Sequence, residues 1–111
     1  TSFRGDEFAR IQVTVSQALN DFEQRRAWFE DEAASHAAYA RLLSRVGRNS
    51  EAVLALRRAV QLEPEDTGAL NLLGSILRTD GDAVGARAAY EQSLRANPDQ
   101  PPVRESLRSL N

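Results

Sequence analysis

The 111-residue chain contains no cysteine, which removes disulfides, thiolate metal sites and cysteine nucleophiles and leaves the redox compartment open. It contains no lysine either: all fourteen basic residues are arginine, so Schiff-base chemistry and the lysine of a phosphate-binding loop are excluded. His36 is the only imidazole, and with neither a second histidine nor a thiolate to join it a zinc site cannot be completed. A packing role is expected of it. No run of about 18 apolar residues occurs, so no segment inserts across a bilayer. Basic excess is missing too: fourteen arginines face sixteen acids for a net charge of −2, which leaves nucleic-acid binding little electrostatic drive. Neither a Ser-His-Asp order nor an HExxH pattern is present. The acidic run Glu30-Asp31-Glu32 would point in different directions from successive helix positions, as a solvated turn does, and Gly81-x-x-x-Gly85 reads as local turn geometry. Catalysis, cofactors and metals are therefore not expected.

Apolar residues make up 41% and charged residues 27%, the balance of a globular chain of one domain at most. The start, Thr1-Ser2-Phe3-Arg4, has neither an apolar leader segment nor a methionine, which points to a processed or partial chain. Charge is unevenly spread. Residues 1 to 32 hold four arginines against seven acids, whereas residues 33 to 66 hold five against four.

The chain repeats itself. Slid against its own sequence, it pairs Leu43 with Leu77, Gly47 with Gly81, Ala52 with Ala86, Ala55 with Ala89 and Pro64 with Pro98. Similar residues fall in the same register: Tyr39 with Leu73, Ala40 with Gly74, Leu42 with Ile76, Leu56 with Tyr90, and Val60 with Leu94. The common offset is a period of about 34 residues, in the range of stacked supersecondary units. Each unit reads as two helices. Leu70, Leu73, Ile76 and Leu77 recur at helical spacing, Thr79-Asp80-Gly81-Asp82 interrupts, and Ala86, Ala89, Tyr90 and Leu94 resume the period. Gly81 would supply the left-handed residue that ends the first helix, and Pro98 would stop the second. Small residues at Ala40 or Gly74, and at Ala52 or Ala86, would let the paired helices approach closely.

Both ends read differently. After Pro101-Pro102, the residues Val103, Leu107 and Leu110 continue the register of a first helix, so residues 101–111 are expected to cap the apolar edge, with Arg104, Glu105, Arg108 and Ser109 in water. Between Asp6 and Val46 there is neither glycine nor proline, and Phe8, Ile11, Val15, Ala18, Leu19, Phe22 and Phe29 fall along one helical stripe. This predicts a long amphipathic helix within residues 1–32, capped near Gly5 or Asp6 and broken around Glu30 to Ser35. Alternatively, Ala18 and Phe22 are the relic of a repeat's second helix, because they lie one full period before Ala52 and Leu56.

The pattern Leu70-x-x-Leu73-Gly74-x-x-Leu77, followed by Ala86, Tyr90 and Pro98, resembles the tetratricopeptide repeat. Residues 33–66 match more loosely through Tyr39-Ala40, Leu43, Ala52, Leu56, Ala59 and Pro64, with His36 and Leu70 standing where the family prefers tryptophan. The resemblance implies an all-α fold, an α-solenoid of stacked helix-turn-helix repeats over 33–66 and 67–100. It also implies a protein-binding adaptor or scaffold whose concave side comes from each repeat's first helix. That side maps onto Ala34, Ala37, Ala38, Arg41, Ser44 and Arg45, then Asn71, Leu72, Ser75, Arg78 and Thr79. The groove residues expected to matter most are Ala37, Arg41, Arg45, Asn71, Ser75 and Arg78, because small side chains leave room for a ligand and guanidinium forks favour carboxylates of an acidic partner. Asn71 is the candidate amide clamp for a peptide backbone. The family's chaperone-binding branch grips a terminal carboxylate with Lys and Asn, but here Ala37 and Arg41 stand at those positions and Leu72 replaces the second Asn.

Two further readings compete. In one, the stripe Phe8, Ile11, Val15, Leu19, Phe22 and Phe29 docks on a second copy and makes a homo-oligomer. In the other, the chain is an accessory part of an enzyme whose catalytic portion lies elsewhere. Compartment stays open between the cytoplasm and the soluble part of an envelope-anchored protein.

Overall fold

The computed structural model of the chain describes residues 14–25 and 32–110. All regular structure among them is helical. Residues 14–24 form α1, followed by α2 (Ala33–Arg45), α3 (Asn49–Leu62), α4 (Thr67–Thr79), α5 (Ala83–Ala96) and α6 (Pro101–Ser109). The stripe residues Phe8, Ile11 and Phe29, and the expected cap at Gly5 or Asp6, lie outside the described residues.

Turn chemistry sets where the first helix of each pair stops. Gly47 and Gly81 have φ of 81° and 85°, a left-handed backbone that costs a side-chain-bearing residue about 1–2 kcal/mol. Around each glycine the same two bonds close the helix end. Gly81 N–H donates to the Arg78 carbonyl and Asp82 N–H to the Leu77 carbonyl; at the equivalent turn of the first repeat, Gly47 N–H donates to Ser44 and Arg48 N–H to Leu43. This pairing satisfies carbonyls that would otherwise be orphaned at the helix end. The next helix starts at once: the Asp82 carboxylate accepts from Gly85 N at 2.9 Å, and Asp66 caps α4 by accepting from Ala69 N at 3.1 Å.

Each hairpin closes over small residues. α2 packs on α3 and α4 on α5, while α3 against α4 and α5 against α6 join successive pairs. Ala40, Leu43, Ala52, Leu56 and Ala59 are fully buried in the first pair, and Gly74, Leu77, Ala86, Tyr90 and Ser93 fill the matching places in the second. His36 is also buried, 5% exposed, among these helices.

The outermost helices differ from the inner ones at their open faces. Asp21 and Arg25 of the N-terminal segment are exposed at the register positions that the buried Ala55 and Ala59 occupy in the following unit, and exposed Arg108 of α6 stands one period beyond the buried Gly74. Charged side chains at these positions are in contact with water, where the equivalent positions of the inner helices are packed. On its inner side α6 buries Val103 and leans Leu107 and Leu110 on the core.

Candidate functional site

A cleft of about 510 Å³ opens between the first helices of the two pairs, lined by Ala38, Arg41, Leu42, Ser44 and Arg45 of α2 and by Leu72 of α4. Its floor is apolar: Leu42 and Leu72 are half-buried and lean on the core. Its rim is cationic. Arg41 and Arg45, one helical turn apart, are both exposed and make no hydrogen bond or ion pair with another described residue. Among the described residues no acidic side chain lines the cleft.

The other expected groove residues are placed elsewhere. Ala37 is 3% exposed and belongs to the core, because its face of α2 is covered by packing, so it offers no surface to a ligand. Asn71 turns toward the C-terminal helix: its Nδ2 donates to Gln100 Oε1 at 2.9 Å. Gln100 in turn donates from Nε2 to the carbonyls of Ser93 at 3.0 Å and Asn97 at 2.8 Å, and these two carbonyls fix which end of its amide is the acceptor. Asn71 Oδ1 is buried with no donor among the described residues. The residue thus braces α4 against the segment that enters α6. Ser75 and Arg78 are exposed on α4 but do not line the cleft, and Arg78 donates to Ser109 Oγ of α6 at 3.4 Å.

In the described part of the N-terminal stripe, Val15 and Leu19 are buried and Phe22 is half-buried against the core. Val15 and Leu19 are 7% and 4% exposed, and Phe22 stacks on Tyr39 with ring centroids 6.0 Å apart at 23°. Arg48, in the turn between α2 and α3, reaches back to Glu23 at 3.1 Å and forward to Glu51 through Nε at 2.8 Å. The hydrogen bond that Arg48 donates to the Glu51 carboxylate, aided by Glu23 and opposed by desolvation, raises the Arg48 pKa above its ordinary value. These contacts seat α1 against Tyr39 of α2 and the turn that follows α2.

Among the described residues no three His, Asp or Glu side chains converge as a metal would need, and no helix is long and apolar enough to cross a membrane. A family model described as tetratricopeptide repeat matches residues 38–101. The chain belongs to the tetratricopeptide repeat family. Protein FlbA of Caulobacter vibrioides is 38% identical over 68 residues, which cover 61% of this chain and 11% of that protein. The chain thus spans a small part of that relative. Among solved structures it is similar to MamA, with a TM-score of 0.82 at 19% identity over 86% of this chain and 56% of that one. It is also similar to the first tetratricopeptide domain of Spaghetti (RPAP3) bound to the HSP90 peptide SRMEEVD, with a TM-score of 0.80 at 18% identity over 96% and 84% of the two chains. A third likeness is to the Sgt2 tetratricopeptide domain of Aspergillus fumigatus, with a TM-score of 0.76 at 20% identity over 94% and 70%. At these identities the structures share the fold.

Within the tetratricopeptide repeats, sequence reading overlooked two features. Leu42 pairs with Ile76 in the repeat register and so reads as core, yet Leu42 is half-buried and lines the cleft while Ile76 is 5% exposed. Gln100 carries no periodic signal, since its partners Asn71 and Ser93 are brought to it only by the stacking of three helices.

Proposed function

We propose that the chain is a non-catalytic interaction module that captures a segment of a partner protein in the cleft between α2 and α4, as the adaptor part of a larger assembly. Tetratricopeptide repeats are interaction modules, and the neighbour Spaghetti is seen with a peptide bound. The observation that carries the reading here is the pair Arg41 and Arg45, unpaired on the rim of a leucine-floored cleft. Exposed cations beside apolar surface, with no partner among the described residues, suit a ligand that brings both carboxylate and apolar side chain. Burial of Val15 and Leu19 and the packing of half-buried Phe22 within the chain favour this reading over docking of the stripe on a second copy.

Selection of peptides from a random displayed library on the folded domain, followed by amide chemical-shift mapping, tests it. Shifts centred on Ala38, Arg41, Leu42, Ser44, Arg45 and Leu72 are expected. Selected peptides that perturb only α3 and α5, or no peptide recovered, would overturn the proposal.

A further inference from the structure

We infer that the cleft recognises an internal acidic segment of a partner, with a large apolar side chain flanked by two carboxylates, and not the carboxylate at a chain end; this rests on the groove reading above. The argument is one of placement. A single terminal carboxylate is gripped when donors converge on it from different helices. Here both free guanidinium groups stand on the same helix, α2, at positions i and i+4, whose Cβ atoms lie about 5–6 Å apart. The facing helix offers Leu72, and its nearest cation, Arg78, already donates to Ser109.

Two cations one turn apart match two separate carboxylates about 6–7 Å apart, the spacing of residues i and i+2 in an extended chain. The side chain between them then points to the other face of the strand, toward the apolar floor of Leu42 and Leu72. Charge complementarity is unopposed, because the cleft is lined by no acid among the described residues. The exposed rim gives each ion pair a modest share of affinity, and burial of the central side chain supplies the larger part. Arginine makes the rim a fork for planar carboxylates in place of a point charge.

Fluorescence anisotropy with short labelled peptides, acetylated and amidated so that no terminal charge remains, tests this. A Glu-Leu-Glu peptide is expected to bind, a Glu-Ala-Glu peptide about tenfold more weakly, and a Gln-Leu-Gln peptide about fivefold more weakly. Affinity for Glu-Leu-Glu should fall as salt rises. The Arg41→Glu/Arg45→Glu variant should lose the Glu-Leu-Glu peptide and gain a Lys-Leu-Lys peptide, an exchange that a misfolded variant would not show.

Equal binding of the Gln and Glu peptides, or tighter binding once the terminal carboxylate is freed, would overturn the inference while leaving groove capture standing. Absence of binding by every peptide at the cleft would overturn both. Tighter binding of a single-stranded oligonucleotide than of the Glu-Leu-Glu peptide at equal salt would also defeat it.

Discussion

Tyr90 lies so close over Gly74 that a Cβ built on the glycine would sit 2.7 Å from Cε1 of the ring. The first repeat has Ala40 and Leu56 at the same two places, so backbone approach and ring size are exchanged between the units. Gly74→Ala should therefore cost about 1–3 kcal/mol by overpacking, although alanine is the better helix former. In the Gly74→Ala/Tyr90→Leu chain, which adopts the first repeat's combination, the total cost should be clearly less than the sum of the two single costs. A double-mutant cycle by urea unfolding measures it.

The Phe22–Tyr39 stack is an aromatic contact that holds α1 to the repeats. Phe22→Ala should lower stability by about 1–3 kcal/mol, less than a fully buried ring would, because Phe22 is half-buried. Limited proteolysis should then cut first at the end of α1, around Phe22 to Arg25. Unchanged protection of that segment would show that Val15 and Leu19 suffice.

Gln100 satisfies two backbone carbonyls and one side-chain amide across α4, α5 and the start of α6. Gln100→Leu should cost about 1–3 kcal/mol, since it leaves buried groups without partners. Asn71→Leu should cost less, because it removes an acceptor that has no donor. Reversible chemical denaturation of both variants gives the order.

Gly47 and Gly81 have open space around a would-be Cβ, so substitution there tests backbone strain without a clash. Each change to alanine should destabilise by about 1–2 kcal/mol, and each change to asparagine by less. Thermal melts should show closely similar losses at the two sites, as the two helix ends are closed by the same bonds.

Arg41→Gln/Arg45→Gln should leave unfolding within about 0.5 kcal/mol of the parent chain, as expected for exposed side chains without internal partners. A larger loss in calorimetry would mean that the arginines serve the fold, which would weaken the case for a binding rim.

Helix positions and stops were legible because their causes are local. Leucine spacing, the glycines at 47 and 81, and the prolines at 64 and 98 act within a few residues of themselves. The candidate groove was legible only in part. Arg41 and Arg45 do reach a cleft, but helical periodicity alone did not separate them from Ala37, which the neighbouring helices cover, or from Asn71, which Gln100 engages. A repeat period says which positions are equivalent, and it is silent on what lies over them.

By itself, then, the chain's order of residues determined that this is a stack of helical hairpins, since backbone turns and apolar stripes are properties of short segments. Tertiary structure alone decided which side chains stay free. Burial of Val15 and Leu19, the bracing of Asn71, and the leucine floor beneath two arginines without partners among the described residues all depend on contacts between helices far apart in sequence, whose faces are chosen by packing.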